Sequence, residues 1–389
     1  MFLENGVAMT IEDLFFEVVR LALGTQDKLS RNPSKEEWGQ IFLMCQQQAI
    51  AGVVLDGLER LLAEQRPPQL LLLLWIGDVQ HIEVAYSLQC QRAKELRVIF
   101  QKIGSLSSVL KGIGFSQYYP VPRHRQGGDI DLWVDGDRKA IMEWLRSQYE
   151  IAHVVWHHVD AKIFDDVETE IHFHPGWLYN PIYNKRLQRW FEERKGKQFE
   201  VNESLGFAYP TIEFNVVFAL VHLYHHLIEE GVGIRHIVDC YYLLKANTNN
   251  HQELENERIS SISNTIALQR HTLKERTPHS QGENLTNGTN LLKEIESLGL
   301  KKITSAVMWV LQEVCGMQRG NLLCEPNEKE GRFLLEDIMR GGNFGKYRSD
   351  SRKRNSTARM LALLPHYPSE VLWVVPWKCW HWLWRKCNN

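Results

Sequence analysis

Near residue 105 the apolar residues of this chain change their spacing, and after residue 211 they change back. Upstream, Ile11, Leu14, Phe15, Val18, Leu21 and Leu23 recur at helical intervals over residues 9–25. Residues 35–64 read as two more helices, the first opened by Ser34 as N-cap with Glu37 three positions on, a capping box. Pro67-Pro68 then opens a long helical segment to about Lys102. In the middle, residues 107–112 read as a short strand ending at a glycine, and residues 129–135 alternate apolar and acidic as a strand does. Residues 138–149 form an amphipathic helix, and residues 154–158, 161–164 and 168–173 read as strands. From Thr211 the helical period returns through Phe214, Val217, Val221, Leu223 and Leu227. It breaks at Gly231-Val232-Gly233 and resumes over 234–244, with further helices expected at 291–315 and 331–339. The prediction is an α+β chain: a helical region over 1–104, an α+β core over 105–210, and a helical domain over 211–389. That last domain carries a polar insertion at about 246–290, too rich in Asn, Gln, Glu, Ser and Thr to bury much surface.

Inside the core, Gly127-Gly128-Asp129-Ile130-Asp131-Leu132 places two carboxylates either side of one apolar residue. On a strand, alternate side chains share a face, so Asp129 and Asp131 point one way while Ile130 and Leu132 point into the core. Two carboxylates so placed repel unless a cation sits between them. Hard divalent ions such as Mg²⁺ take oxygen ligands, often one or two carboxylates plus substrate phosphates. The spacing therefore points to metal-dependent phosphoryl or nucleotidyl transfer. Glu170, alternating with Ile171 and Phe173, is the expected third carboxylate, and His172 shares its face. Lys111 and Arg123 are expected to neutralise a triphosphate, with Gly112 offering backbone amides to phosphate oxygens.

The run Leu110-Lys111-Gly112, Tyr119-Pro120, Arg123, Gly128-Asp129-Ile130-Asp131-Leu132 and Glu170-Ile171-His172-Phe173 resembles an uncharacterised bacterial nucleotidyltransferase-like family of the polymerase-β superfamily. The resemblance continues through Gly231–His236, Asp239, Leu335–Ile338 and Gly342–Gly345, and its Lys-Gly and Asp-x-Asp elements also occur in AbiEii-type nucleotidyltransferase toxins. It implies a small mixed sheet flanked by helices, with an NTP and Mg²⁺ (or Mn²⁺) at Asp129, Asp131 and Glu170. It also implies Lys111, Gly112, Arg123, Gly128, His172, Arg235 and Asp239 around the nucleotide. The turn Lys111-Gly112-Ile113-Gly114 departs from the Gly-Ser or Gly-Gly usual in that superfamily. The acceptor stays open between small molecule, sugar, protein and RNA. A catalytically silent nucleotide-binding scaffold and a toxin-like enzyme acting on tRNA ends are the alternatives.

The remaining features constrain less. A net charge of −2 gives no chain-wide attraction to nucleic acid. Seven cysteines without a Cys-x-x-Cys pair, and no basic-then-apolar leader, fit reduced thiols and a cytoplasmic location. His222 and His226 share a helical face but lack the Glu of a His-Glu-x-x-His zinc motif, so they read as polar positions facing a cleft. Arg235 and Asp239, four apart on a helix, read by default as an ion pair. The tryptophan-rich tail 371–386 suits an interfacial helix touching a membrane or protein, or a helix packed on the chain itself and interrupted at Pro376.

Overall fold

The computed structural model describes residues 9–250, 287–349 and 356–388. Four helices lead: α1 (Ile11–Leu23), α2 (Lys35–Gln47), α3 (Ala51–Leu58) and the long α4 (Gln69–Lys102). Their ends follow local chemistry. Thr10 Oγ1 accepts from the Asp13 amide at 3.2 Å while Asp13 accepts from the Thr10 amide at 2.9 Å. The expected Ser34–Glu37 box closes α2 in the same reciprocal way, at 3.2 and 2.8 Å.

Seven strands form one mixed sheet in the order β3-β4-β5-β2-β1-β7-β6. They are β1 (Leu106–Val109), β2 (Ile130–Asp135), β3 (Glu150–Val154), β4 (His158–Lys162), β5 (Thr169–His172), β6 (Val201–Asn202) and β7 (Phe207–Ala208). The short α5 (Ile113–Ser116) follows β1, α6 (Arg138–Gln148) follows β2 and α7 (Pro181–Arg194) follows β5. The central strand β2 packs on both faces. Ile130, Leu132, Val134 and Ile171 pack into one core with Leu96 and Phe100 of α4 and Ile141 and Leu145 of α6. Trp133, on the opposite face of β2, joins a second core and stacks on Phe214 of the following helix with ring centroids 5.5 Å apart.

The strand limits around 150–164 differ from those the sequence predicts. Residues 155–157 are the turn between β3 and β4, closed by the Val155 amide donating to the His158 carbonyl at 3.0 Å. At this edge β3 has mostly exposed or half-buried side chains, so no apolar alternation marks its limits. The two-residue strands β6 and β7 are too short to carry a period at all.

After the sheet come α8 (Ile212–Glu229) and the helix α9, which spans residues 234–250 of the described chain. The break at 231–233 is where the sequence places it. Most of the predicted polar insertion lies outside the described residues, while 246–250 continue α9 and α10 (Asn287–Ser297) begins inside the predicted span. The single helix expected over 291–315 is two, α10 and α11 (Lys301–Glu313), because Gly299 takes a left-handed φ of +76°. Then follow α12 (Glu328–Gly341), α13 (Ser356–Leu363) and α14 (Pro368–Asn388). Pro376 sits inside α14 without ending it. One buried core joins α1–α3 to α8, α9, α11 and α12, so the helices before and after the sheet enclose common apolar surface. Among the described residues no helix is long and apolar enough to cross a membrane.

Candidate functional site

Sheet register builds the site. In the parallel pair β2–β5, Asp131 stands beside Glu170; in the antiparallel pair β4–β5, His158 stands beside His172 and Asp160 beside Glu170. Since Leu132, Ile171 and Val159 point into the core against α4 and α6, these polar groups share the opposite face. The Leu110 amide donates to the Asp131 carbonyl at 2.9 Å, which brings the next residue, Lys111, alongside. Its Nζ lies 3.0 Å from Asp131 Oδ1 and 3.7 Å from Asp129 Oδ2. His172 Nε2 lies 3.1 Å from Asp131 Oδ1 and 3.2 Å from Glu170 Oε2. Carboxylate oxygens of Asp129, Asp131 and Glu170 come within 4.8 Å of one another. Asp131 is 2% exposed, while Asp129 and Glu170 are half-buried.

The electrostatics follow from that crowding. Burial by itself disfavours the Lys111 ammonium, but Asp131, Asp129 and Glu170 outweigh it and hold the group above the usual lysine range. Burial likewise opposes the charged His172 ring, yet hydrogen bonds to Asp131 and Glu170 raise it to about 9. The cost of burying Glu170 is outweighed by His172, His158 and Lys111, which keep its carboxyl below the usual range. Two cations thus offset two of the three carboxylate charges and leave one negative charge at the floor of the site.

A cavity of about 870 Å³ opens above this floor. One wall is α8, through His222, His225, His226, Glu229 and Glu230. Burial holds the imidazoles of His222 and His226 neutral, far below the ordinary histidine value. Phe344 and Lys346 close one side, and α14 supplies Trp377, Lys378, His381, Trp382 and Arg385. Trp377 stacks on Trp177 at 3.9 Å with planes 7° apart, and the Trp156 amide donates to His381 Nε2 at 3.2 Å.

Of the residues singled out from the sequence, Lys111, Asp129, Asp131, Glu170 and His172 converge on this cavity. Arg123 points elsewhere and pairs with Glu83 of α4 at 2.7 Å. Among the described residues, the Lys and Arg side chains lining the cavity are Lys111, Lys346, Lys378 and Arg385. Gly112 has a φ of +58°, which explains a glycine directly after Lys111. The Gly128 carbonyl accepts from the Gln89 side chain of α4. The expected Arg235–Asp239 pair is not formed. Asp239 is instead held by Arg125, with Nε and Nη2 at 2.7 and 2.8 Å, and by the Tyr119 hydroxyl at 2.6 Å. Arg235 donates to the Gln126 carbonyl at 2.9 Å and lies 5.2 Å over the Phe344 ring. The physical reason is reach: Arg125 enters from the loop before β2 and meets the carboxylate with its planar fork.

A family model described as uncharacterised nucleotidyltransferase matches residues 34–274. The chain belongs to that family. No curated protein matches it. The match contains Lys111, Asp129, Asp131, Glu170, His172 and all of α8, so the floor and one wall of the cavity belong to the part shared with the family. In this nucleotidyltransferase the wall made by α14 lies outside the matched residues. Sequence reasoning missed that wall, although the tail's aromatic spacing was in view.

Glu370 anchors α14 to the nucleotidyltransferase core. Its Oε2 accepts from the Tyr179 amide at 2.6 Å and the Asn180 amide at 3.2 Å. Burial pushes its carboxyl up to about 7, against the lowering effect of those amides. A carboxyl whose folded value exceeds its unfolded one contributes stability at acid pH and loses it as pH rises through the folded value. Between about pH 5 and pH 8, wild-type stability is therefore expected to fall by about 3 kcal/mol relative to Glu370→Gln. Urea unfolding of both proteins at the two pH values checks this; a difference independent of pH would contradict it.

Proposed function

We propose that this nucleotidyltransferase moves an NMP from an NTP to a small acceptor, with Asp129, Asp131 and Glu170 holding Mg²⁺ or Mn²⁺. The observation that carries the reading is the gathering of three carboxylates around Lys111 at the floor of a closed-sided cavity. The donor set fits the ion: all-oxygen ligands, partly buried, whose negative charge Lys111 and His172 offset only in part. When bound, such an ion stabilises charge on the α-phosphate and favours the deprotonated acceptor.

The chain's own residues do the rest. Lys111 steadies the phosphate oxygens nearest Asp131, and Lys346, Lys378 and Arg385 draw the leaving pyrophosphate. An acceptor oxygen attacks the α-phosphorus and forms the new O–P bond. The bond from the α-phosphorus to the bridging oxygen breaks, pyrophosphate departs with that electron pair, and the acceptor proton passes to solvent. A cavity of about 870 Å³ suits a nucleotide with a small second substrate better than a nucleic-acid duplex.

Calorimetry with each NTP, with and without Mg²⁺, tests the binding half, and pyrophosphate release with α-labelled NTP tests transfer. Metal-dependent NTP binding and release are expected. Nucleotide binding that is absent, or indifferent to EDTA, would overturn the reading.

A further inference from the structure

Beside the oxygen-lined floor lies a second group of donors, whose two histidines the transfer reading does not use as ligands. Nitrogen and oxygen atoms of His158, Glu170 and His172 all lie within 4.8 Å of one another. They come from neighbouring strands in fixed register, His158 opposite His172 across β4–β5, and Glu170 two residues before His172 on β5.

We propose that His158, Glu170 and His172 form a distinct site for a borderline divalent ion of the Zn²⁺ type, with Glu170 shared between it and the Asp129–Asp131 site. Both imidazoles are oriented for this. His172 Nδ1 faces the His174 carbonyl at 3.4 Å, which leaves Nε2 as the nitrogen turned toward Glu170. His158 Nε2 lies 3.1 Å from Asp160 Oδ1, which leaves Nδ1 turned inward, 3.8 Å from Glu170 Oε2. That Nδ1 is buried and has no hydrogen-bond partner among the described residues. Zinc-binding histidines usually have their second nitrogen held by a carboxylate or a backbone carbonyl, as His172 Nδ1 is by the His174 carbonyl. His158 Nε2 only approaches Asp160 Oδ1, without a hydrogen bond between them. Zn²⁺ accepts imidazole nitrogen and carboxylate oxygen in a four-coordinate site, and three protein donors beside an open cavity leave its fourth position to substrate or water. Mg²⁺ prefers oxygen, so the two ions are sorted by ligand type: Mg²⁺ to the carboxylates, the softer ion to the histidine side. His172 now bridges Asp131 and Glu170, so binding at its Nε2 would release Asp131 for the neighbouring site.

The test uses the full chain with Zn²⁺ alone and no nucleotide. Calorimetry should find a Zn²⁺ site that weakens at least tenfold in His158→Gln and in His172→Ala but persists in Asp129→Asn. Crystals soaked with Zn²⁺ should give an anomalous peak between His158, Glu170 and His172 in the wild-type protein, which keeps the test independent of how the variants fold. Absence of that peak, or Zn²⁺ affinity unchanged in both histidine variants, would overturn the proposal. Because Mg²⁺-dependent pyrophosphate release is measured separately, a missing Zn²⁺ site would leave the transfer reading standing, and the reverse.

Discussion

Asp131→Asn should cost at least about a thousandfold in transfer rate, about 4 kcal/mol in the barrier, because a divalent ion at a phosphoryl centre contributes several kcal/mol. Asparagine keeps the size of the side chain and an oxygen acceptor for Lys111 Nζ and His172 Nε2, which lie 3.0 and 3.1 Å away. What it removes is the buried negative charge at the centre of the carboxylate group. The fold should survive, since Lys111 keeps Asp129 within 3.7 Å and His172 keeps Glu170 within 3.2 Å. Losing one of three crowded carboxylates also relieves repulsion. Circular dichroism and a melting curve close to wild type, beside lost label transfer, are the expected pair of results. Full activity in this variant would remove Asp131 from the mechanism.

Asp239→Ala acts on stability instead. Arg125 is 5% exposed and spends two guanidinium nitrogens on Asp239, so alanine strands a buried cation. Breaking one side of such a pair costs about 3–5 kcal/mol, whereas replacing both partners by apolar groups of similar volume is far milder. Urea unfolding of Asp239→Ala against the double variant Arg125→Met with Asp239→Leu separates the two cases. A loss below about 1 kcal/mol in the single variant would show that the pair is solvated, as exposed pairs are. The pair also bears on the site, since Arg125 belongs to the loop that enters β2 just before Asp129. Loosening it should blur the carboxylate geometry even though neither partner lines the cavity.

The features legible in the sequence were those that short-range physics decides. Capping pairs gave helix starts, and the strand period of two placed Asp131, Glu170 and His172 on one face because Ile130, Leu132 and Ile171 had to be buried on the other. Loops have no such period. Arg123 and Arg125 sit two apart in one Pro-containing loop, and nothing local says which turns inward; the structure buries Arg125 and leaves Arg123 57% exposed on Glu83. His158 escaped notice as a site residue because the β3–β4 turn falls where a strand was expected, which hides its pairing with His172. The α14 wall depends on contacts such as Trp177 with Trp377, two hundred positions apart, that no local pattern records. Pro376 suggested an interruption, because an interior proline removes an amide donor and crowds the carbonyl four residues back; α14 nonetheless continues through it, with Trp377 and His381 stacked just beyond.

The position of α14 on the cavity also sets an order of events during synthesis. The strands carrying Asp131 and Glu170 leave the ribosome long before residues 368–388, and at about 5–20 residues per second that interval is roughly 10–40 s. Through that time the nascent chain can pair its strands and gather its carboxylates, yet the aromatic wall that completes the cavity has not been made. Nucleotide binding by a ribosome-tethered chain should therefore change when the last helix emerges, which makes the tail a timer for when the site becomes whole.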